Sequence, residues 1–351
     1  MFELSIFLGS FILTYFGVRW FRAWTLKRGV LDHPNERSSH TVATPRGGGL
    51  VLALVILAAY IVGAQLLAFG ISWGFLAGAL IIVAISWLDD VYSVSFVWRI
   101  LAHSMAAALL IYDAGWLSAI VLIDAADPVA VGRFGIVPTF LWVIWLVNSY
   151  NFMDGIDGIA GTQAVTAGTG WLLFGLITGS PVAYLLGGTV LFAALAFLLH
   201  NWPPARIFMG DAGSAFLGFV FASIPILVRD PRAPDTGIPA LLAILLVWLF
   251  VFDSVFTFLR RLINGEKVWQ AHRQHLYQRL VISGYSHLRT TLIYGTISLS
   301  IVMIATLTVD RPAQIPAYWA LIAAAVGSAV LLALCWKRGC LFGNITKNAN
   351  T

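Results

Sequence analysis

The chain has 351 residues, of which 60% are hydrophobic and 11% are charged, and its mean hydropathy is +0.87. Soluble domains carry about 25% charged residues, so this composition excludes an ordinary soluble protein and indicates an integral membrane protein. The net charge of +5 requires no nucleic acid partner, because a basic inner face and anionic lipid head groups account for it. The two cysteines lie near the end of the chain and suggest neither a disulfide framework nor a metal cluster.

Long apolar runs recur along the chain. Runs such as 50–69 and 317–335 contain the roughly 20 residues that cross a bilayer core as a helix. Their continuity argues against a membrane barrel, whose strands are short and alternate. The run 116–123 is too short to span and is predicted as an interfacial or re-entrant piece. We predict one all-α membrane domain with eleven spans, at 2–18, 50–69, 71–88, 96–112, 136–148, 160–178, 182–200, 214–228, 238–258, 290–309 and 317–335.

Basic residues set the predicted orientation. All but four of the 21 Lys and Arg residues lie nearer one set of loops, and the positive-inside rule makes that set cytoplasmic. The four exceptions are Arg133, Arg229, Arg232 and Arg311. With eleven spans, the N-terminus is then outside and the C-terminus is in the cytoplasm. The first span lacks a basic n-region and a cleavage site, so we predict a retained anchor rather than a signal peptide.

Polar chemistry gathers on the predicted cytoplasmic face, in five loops at 25–49, 86–99, 148–161, 200–214 and 260–289. These loops hold six of the seven His residues and many of the acidic residues. A transporter, the first alternative function, would instead place its intramembrane acids near the midplane. Asp253 is the main exception, and at about 1.5 Å of rise per residue it lies close to the same face.

The second loop begins with "SWLDDVYSV", which puts Asp89 and Asp90 at the C-terminal end of a helix. The macrodipole is negative there and disfavours each carboxylate by up to about 1 kcal/mol. A solvated helix end is the plain interpretation. A binding site that requires negative charge better explains why two carboxylates occupy this unfavourable position.

The third loop, "NFMDGIDG", spaces Asn151, Asp154 and Asp157 three residues apart. On a helix these side chains would share one face, and in a turn the two Gly residues would let the backbone approach a ligand closely. The alternative is an ordinary Asp-Gly turn between two helices. Such a turn needs neither a second Asp nor an Asn in register, so the spacing favours a site.

The other loops add further polar side chains. "HNWPPARIFMGDAGS" carries Asn201, Phe208 and Asp211, although Asp211 could be only the N-cap of the next helix. "AHRQHLYQRL" carries Arg273 and His275, whose donors suit phosphate oxygens. Taken alone, this stretch could be an amphipathic helix on the membrane surface.

Carboxylates, Arg, His and Gly-rich backbone on one membrane face suit a hard cation. With oxygen ligands and no Cys, the pattern favours Mg2+, which binds through one or two carboxylates together with substrate phosphates. The inventory therefore predicts phosphoryl-type transfer at a membrane surface.

The ordered motifs "TPRGGG", "LDD", "NFMDGIDG", "FMGDAGS" and "RQH" resemble those of the polyprenyl-phosphate N-acetylhexosamine-1-phosphate transferases. The resemblance runs through most of the chain. It implies a multi-helix enzyme that moves a sugar 1-phosphate from a UDP-N-acetylhexosamine to undecaprenyl phosphate, releases UMP and uses Mg2+, with Mn2+ as an alternative. It also implies the bacterial inner membrane as the location, a surrounding membrane lipid, and downstream glycosyltransferases as partners.

The matching positions imply individual roles. Phe208 matches the position that stacks on uracil, and Asp211 matches the magnesium-binding Asp. Because the second pKa of a phosphate monoester is about 6, the lipid phosphate is largely ionised already, and neither Asp89 nor Asp90 is assigned as an obligatory base. The resemblance implies catalytic roles for Asp89, Asp90, Asp154, Asp157 and His275, metal ligation by Asp211, Asn151 and Asp154, and substrate binding by Thr44, Arg46, Gly48, Asn151, Asn201, Phe208, Arg273 and Arg279.

The chain departs from the family in one motif. The common pattern Arg-x-His-x-His-His appears here as "RQHLYQ", in which Arg273 and His275 are kept and Tyr277 and Gln278 replace the two following His residues. The peptidoglycan branch typically has a His-rich version of this loop. The departure therefore favours the branch that initiates O-antigen, and hence lipopolysaccharide, or another surface polysaccharide.

A CDP-alcohol phosphotransferase is the second alternative function, because it also works at the membrane with Asp and Mg2+. Its signature Asp-Gly-x-x-Ala-Arg is missing, since "DGIDGIAG" contains no Arg.

Overall fold

The computed structural model describes residues 2–32, 42–120, 128–229, 235–268, 272–312 and 314–341, and these are mostly helical. In chain order the described helices are α1 (Phe2–Arg28), α2 (Gly49–Leu66), α3 (Trp73–Tyr92), α4 (Phe96–Ala114), α5 (Ile136–Phe152), α6 (Ile159–Thr178), α7 (Pro181–Asn201), α8 (Asp211–Leu227), α9 (Ile238–Leu246), α10 (Trp248–Ile263), α11 (Leu276–Ile282), α12 (His287–Asp310) and α13 (Tyr318–Lys337). A single 3-10 turn, Gly132–Gly135, precedes α5.

Seven of the described helices are long and apolar enough to cross a membrane, and α9 with α10 form an eighth, sharply bent candidate. Helices α5, α6 and α8 occupy the other predicted spans, although α5 and α8 have only 17 residues each. The multi-pass helical architecture is therefore confirmed. The count of eleven spans and the sides of the two termini stay predictions.

The predicted span 238–258 is not one continuous helix, because it breaks at Val247 and bends there by 74°. Backbone carbonyls freed by a break inside a membrane protein need a partner. The buried Gln163 side chain provides it, donating from Nε2 to the Leu246 carbonyl at 2.8 Å. Gln163 Oε1 in turn accepts from the Ser298 hydroxyl at 2.9 Å, so α6 and α12 together hold the broken helix.

Two small β-ladders qualify the all-α prediction. Strand β1 (Leu31–Asp32) pairs antiparallel with β2 (Thr44–Pro45) and closes the base of the first predicted loop. Residues 33–41 of that loop, and 269–271 of the last one, lie outside the described chain.

The second ladder lies in the stretch that was predicted as an interfacial or re-entrant piece, 116–123. Its residues Ala119–Ile120 form strand β3, which pairs antiparallel with β4 (Val129–Ala130). The described part of the stretch is therefore extended, and residues 121–123 lie outside the described chain.

Helix α8 lies at the centre of the bundle, and all but two of its residues are buried. Its first turn crosses the first turn of α2, where a Cβ atom on Gly49 would lie 2.3 Å from the Gly213 Cα atom. Small residues let membrane helices approach this closely. The crossing brings the "TPRGGG" and "FMGDAGS" motifs into direct contact.

Candidate active site

Arg46 joins two carboxylates that are far apart in sequence. Its Nε atom lies 2.7 Å from Asp90 Oδ1, and its Nη2 atom lies 2.7 Å from Asp211 Oδ1. Burial acts to lower the pKa of Arg46, but the charges of Asp90 and Asp211 outweigh it and hold this pKa above its ordinary value. The guanidinium therefore stays charged and ties the first loop to α3 and α8.

Asp90 caps α8 from outside. Its two carboxylate oxygens accept the backbone N–H groups of Asp211 at 2.9 Å and Ala212 at 3.1 Å, and its side chain is fully buried. A negative charge at a helix N-terminus satisfies free amides and complements the helix dipole. The capping group of α8 is therefore Asp90, and the Asp211 carboxylate is left to face the two arginines.

Asp89 points to a different partner from its neighbour. Its Oδ2 atom lies 2.6 Å from Arg99 Nη1, and its Oδ1 atom accepts the Val94 amide at 2.6 Å. Arg99 also approaches Asp211 Oδ2 at 3.5 Å. Helix α3 continues through both acidic residues and ends at Tyr92, where the helix dipole disfavours carboxylates. The positive charges of Arg46 and Arg99 offset this effect.

The glycines of the first loop let its backbone lie directly against the backbone of the "FMGDAGS" motif. The amides of Gly48 and Gly49 donate to the carbonyls of Phe208 and Met209 at 3.0 and 2.9 Å. Gly210 has φ +77°, and a Cβ atom there would lie 2.7 Å from Asp90 Oδ2. These two stretches therefore run side by side with no room for side chains. Thr44, at the start of the motif, is buried, and its hydroxyl donates to the Val42 carbonyl.

The acidic residues of "NFMDGIDG" do not share a helix face, because α5 ends at Phe152 and the chain then turns. Asp157 Oδ2 accepts the Ala205 amide at 3.0 Å, and Asp157 Oδ1 lies 3.4 Å from His287 Nδ1. Asp157 thus connects its own loop with the loop that contains Ala205 and with the start of α12. Asp154 instead lies near the carboxylate cluster of Asp89, Asp90 and Asp211. There, burial and then the charge of Asp211 raise the pKa of Asp154 well above its ordinary range.

Three further residues that the sequence predicted for the site lie in or beside these loops. Asn201 is buried and bridges two loops, since its Oδ1 accepts the Gly158 amide at 2.9 Å and its Nδ2 donates to the Ile207 carbonyl at 2.9 Å. Phe208 is half-buried beside the glycine motif. Asn151, in the last turn of α5, lies beside Asp211. Burial acts to raise the pKa of Asp211, but Arg46, Arg99 and the side chain of Asn151 help to hold it below its ordinary value.

The last loop is anchored by Asp253, a residue that the sequence did not assign to the site. Its fully buried carboxylate accepts the backbone amides of Leu276 at 2.8 Å and Tyr277 at 3.2 Å. It also accepts the Tyr294 hydroxyl at 2.7 Å and lies 3.2 Å from His275 Nδ1. The available signal was an acidic residue in an apolar span, which in a membrane protein requires a partner.

The remaining residues of this loop have distinct surroundings. Tyr277 is fully buried and donates its hydroxyl to the Phe152 carbonyl at 2.9 Å, beside the turn that carries Asp154. The guanidinium of Arg279 donates to the carbonyls of Cys340 and Leu341, in the C-terminal segment rather than in the carboxylate cluster. Arg273 is half-buried two residues before His275.

The oxygen donors of the cluster fit Mg2+ in one particular way. Among the described residues no group of three or more acidic, His or Cys side chains is arranged to hold a metal ion. Mg2+ needs fewer, because it usually takes one or two carboxylates and completes its shell with waters and substrate phosphates. The charge of Asp211 acts on Asp154, so these two carboxylates are the candidates for such a pair.

We expect Gly210→Ala to lower the melting temperature in detergent more than Gly115→Ala does. Both glycines combine a positive φ with an extended ψ, at +77° and 169° for Gly210 and at +86° and −159° for Gly115, and this conformation is almost confined to glycine. A Cβ on Gly210 would lie 2.7 Å from the Asp90 carboxylate, whereas a Cβ on Gly115 meets only the Arg229 guanidinium, at 3.4 Å. The control variant measures the backbone strain, which is about 1–3 kcal/mol. The excess loss in Gly210→Ala measures the packing at Asp90. Equal losses in the two variants would contradict this packing.

Asp253→Asn should loosen the last loop. Two backbone amides lose a charged acceptor, and hydrogen bonds to charged groups contribute about 1.5–3 kcal/mol each. Amide hydrogen exchange of residues 275–282 should therefore accelerate by at least about tenfold. The matched control is Asp113→Asn, which alters a carboxylate that accepts the Gly74 amide elsewhere in the molecule. Unchanged exchange in Asp253→Asn would show that the loop is held by other contacts.

Comparisons with known proteins identify the family of the chain. The profile of glycosyl transferase family 4 matches residues 72–229. A Streptomyces coelicolor protein named as a glycosyltransferase is 30% identical over 332 residues, which cover 92% of this chain and 74% of that protein.

Two other relatives carry more specific names. A Bacillus subtilis protein named as an undecaprenyl-phosphate N-acetylglucosaminyl 1-phosphate transferase is 27% identical over 76% of this chain and 74% of its own length. A Yersinia pestis undecaprenyl-phosphate alpha-N-acetylglucosaminyl 1-phosphate transferase is 27% identical over 90% of this chain and 87% of its own. The matched region contains the Asp89–Asp90 pair, the Asp154 turn and Asp211, so the chain belongs to glycosyl transferase family 4, the family of the polyprenyl-phosphate N-acetylhexosamine-1-phosphate transferases.

Proposed function

We propose that the protein transfers an N-acetylhexosamine 1-phosphate from a UDP-sugar to undecaprenyl phosphate and releases UMP. The observation that carries this proposal is the contact of Arg46 and Arg99 with three carboxylates drawn from two motifs, "LDD" and "FMGDAGS". Arginines beside acidic residues at a membrane face suit a diphosphate bound together with a divalent cation. The relatives named as undecaprenyl-phosphate transferases support the same acceptor and the same class of sugar.

An apolar groove supports a lipid acceptor. It has a volume of about 980 Å3 and lies between α5 and the bent pair α9–α10. Its lining includes Trp142, Ile244 and Phe258 along its length and the polar Asn148. Asn148 Nδ2 lies 3.3 Å from Nδ1 of His103. His103 is one turn beyond Arg99 on α4. A prenyl chain in this groove would bring its phosphate towards Arg99 and the carboxylates.

The reaction balances as a single displacement at phosphorus. An oxygen of the lipid phosphate attacks the β-phosphorus of the UDP-sugar, the bond from that phosphorus to the bridging oxygen breaks, and UMP leaves with the bond electrons. The nucleophile is largely ionised, because its second pKa is about 6. Arg46 and Arg99 would neutralise charge on the diphosphate. Since Asp89 and Asp90 both bind an arginine, this arrangement supports positioning rather than proton abstraction for the pair.

A divalent cation completes the proposed site. Asp154 and Asp211 would hold Mg2+, or Mn2+ in its place, with Asn151 as a further oxygen donor. When bound, such an ion polarises the phosphoryl oxygens and stabilises charge on the departing UMP. Phe208 would stack on the uracil ring, and Arg273 and His275 would contact the diphosphate.

Asp211→Asn and Asp154→Asn should each lower the rate of UMP release at least about tenfold, because each removes a carboxylate that would bind the metal. The matched control is Asp235→Asn, since Asp235 also pairs with an arginine, Arg229, but follows α8 at its other end. Melting temperatures establish that all three variants fold. Full activity of the wild type in excess chelator would contradict the metal requirement.

The choice of sugar provides a second test. If Arg273 contacts the diphosphate, Arg273→Ala should lower UMP release roughly alike for all UDP-sugars, since the diphosphate is common to them. Tyr277→His and Gln278→His should change the ranking of sugars, because an unpaired buried hydrogen-bonding group costs about 1–3 kcal/mol. A panel of three UDP-N-acetylhexosamines measures this. An unchanged ranking would assign Tyr277 and Gln278 to loop packing.

We also propose the cellular setting. The enzyme would act in the bacterial inner membrane with its site facing the cytoplasm, as the first membrane step of O-antigen or another surface polysaccharide. Downstream glycosyltransferases would then extend its lipid-linked product. Two features of the sequence support this setting, namely the uneven distribution of Lys and Arg residues between the two sets of loops and the replacement of two His residues in "RQHLYQ".

A further inference from the structure

A second apolar groove lies between α12 and α13, apart from the groove described above. It has a volume of about 610 Å3 and shares no lining residue with the first groove. Its apolar lining comprises Leu288, Leu292, Ile293, Ile297, Val330 and Leu334. The lining positions on α12 extend over about three helical turns, or about 15 Å. Both helices are candidate membrane spans, so the groove is open to the surrounding lipid chains.

Two arginines lie at one end of this groove, Arg289 in its lining and Arg338 on the ring of the lining residue Tyr285. The guanidinium carbons of Arg289 and Arg338 lie 4.1 and 4.5 Å from the centre of the same ring, that of the buried Tyr285. Both arginines are exposed, and neither has an acidic partner among the described residues. Cation–π contacts at exposed sites contribute only about 0.5–1 kcal/mol, whereas two like charges within a Debye length of about 8 Å repel each other. An anion bound to both guanidinium groups would relieve that repulsion.

The start of α12 adds to this basic end. The Ser286 hydroxyl accepts the Arg289 amide at 3.2 Å, and Ser286 itself lines the groove. The positive end of a 24-residue helix therefore lies beside the two guanidinium groups. Charged donors at one end and aliphatic side chains along the rest match a phosphate head group joined to an acyl chain.

Helix α12 connects this groove with the candidate active site. On one side, His287 Nδ1 lies 3.4 Å from Asp157 Oδ1, and the Thr291 hydroxyl donates to the Asp157 carbonyl at 2.8 Å. Leu292 and Thr296 line the groove on another side of the same helix. A molecule bound in the groove would therefore rest on the helix that holds the Asp157 loop.

We infer that the groove between α12 and α13 binds an anionic phospholipid, with its phosphate at Arg289 and Arg338 and an acyl chain along Leu288, Leu292 and Leu334. The charges favour a lipid with net negative charge, because no acidic side chain among the described groove residues would receive a choline or ethanolamine group. This site is independent of the proposed reaction.

The experiment is native mass spectrometry of the full chain in a neutral detergent, with phosphatidylglycerol, phosphatidylcholine or inorganic phosphate added. The test variant is Arg289→Gln with Arg338→Gln, and the matched control is Lys27→Gln with Arg28→Gln, which removes two exposed charges from α1. A basic residue near a lipid surface contributes about 1 kcal/mol, so the test variant should bind phosphatidylglycerol about 30-fold more weakly while the control binds like wild type. Unchanged melting temperatures without lipid establish that the variants fold.

Several outcomes would overturn the inference. Equal binding of phosphatidylcholine would remove the role of charge, and full competition by inorganic phosphate would reduce the site to a phosphate site. Equal weakening in the α1 control would mean that net charge, not this groove, attracts the lipid. A further variant, Arg289→Lys with Arg338→Lys, keeps the charges and should retain most of the phosphatidylglycerol binding. Loss of undecaprenyl phosphate binding alone in the glutamine variant would assign the groove to the acceptor instead.

Discussion

The candidate site depends on the Arg46 guanidinium, which lies between Asp90 and Asp211. Removing a charge from water costs several kcal/mol unless it is paired and hydrogen-bonded, so each of these three groups requires the others. Asp90 also accepts two amides of α8, which fixes the helix whose first residue is Asp211. One set of contacts thus sets the position of the first loop, the end of α3 and the start of the central helix.

The acidic residues divide between two tasks. Asp90, Asp157 and Asp253 accept backbone N–H groups from loops or from a helix start, and thereby hold irregular backbone near the membrane. Such backbone needs internal partners wherever water is scarce. Asp154 and Asp211 make no backbone contact of this kind among the described residues, and the charge of Asp211 acts on Asp154. The acids that hold the loops therefore differ from the pair that we propose as metal ligands.

A break in a membrane helix also shapes the part of the molecule that carries the candidate site. The bend at Val247 redirects α10, and Asp253 on α10 then reaches the amides of Leu276 and Tyr277. The bend also opens the apolar groove beside α5. Gln163 compensates for the lost helical hydrogen bond, so the break is stabilised from α6 rather than left as a weak point. A single backbone irregularity therefore places a loop and shapes a lipid-sized groove.

The sequence by itself determined the membrane class, the approximate positions of the helices and the motifs whose residues Asp89, Asp90 and Asp211 meet at two arginines, because hydropathy and polar motifs are local properties of the chain. It also led to the family, through motifs such as "NFMDGIDG" and "FMGDAGS". Only the tertiary structure decided which carboxylate binds which partner, as with Asp90 capping α8 while Asp211 binds Arg46. It also decided that Asp253 anchors the last loop, that Arg279 binds the C-terminal segment, and that the span 238–258 bends at Val247. These features depend on contacts between residues more than 20 positions apart, or on a side chain from another helix, and neither local composition nor periodicity specifies such contacts.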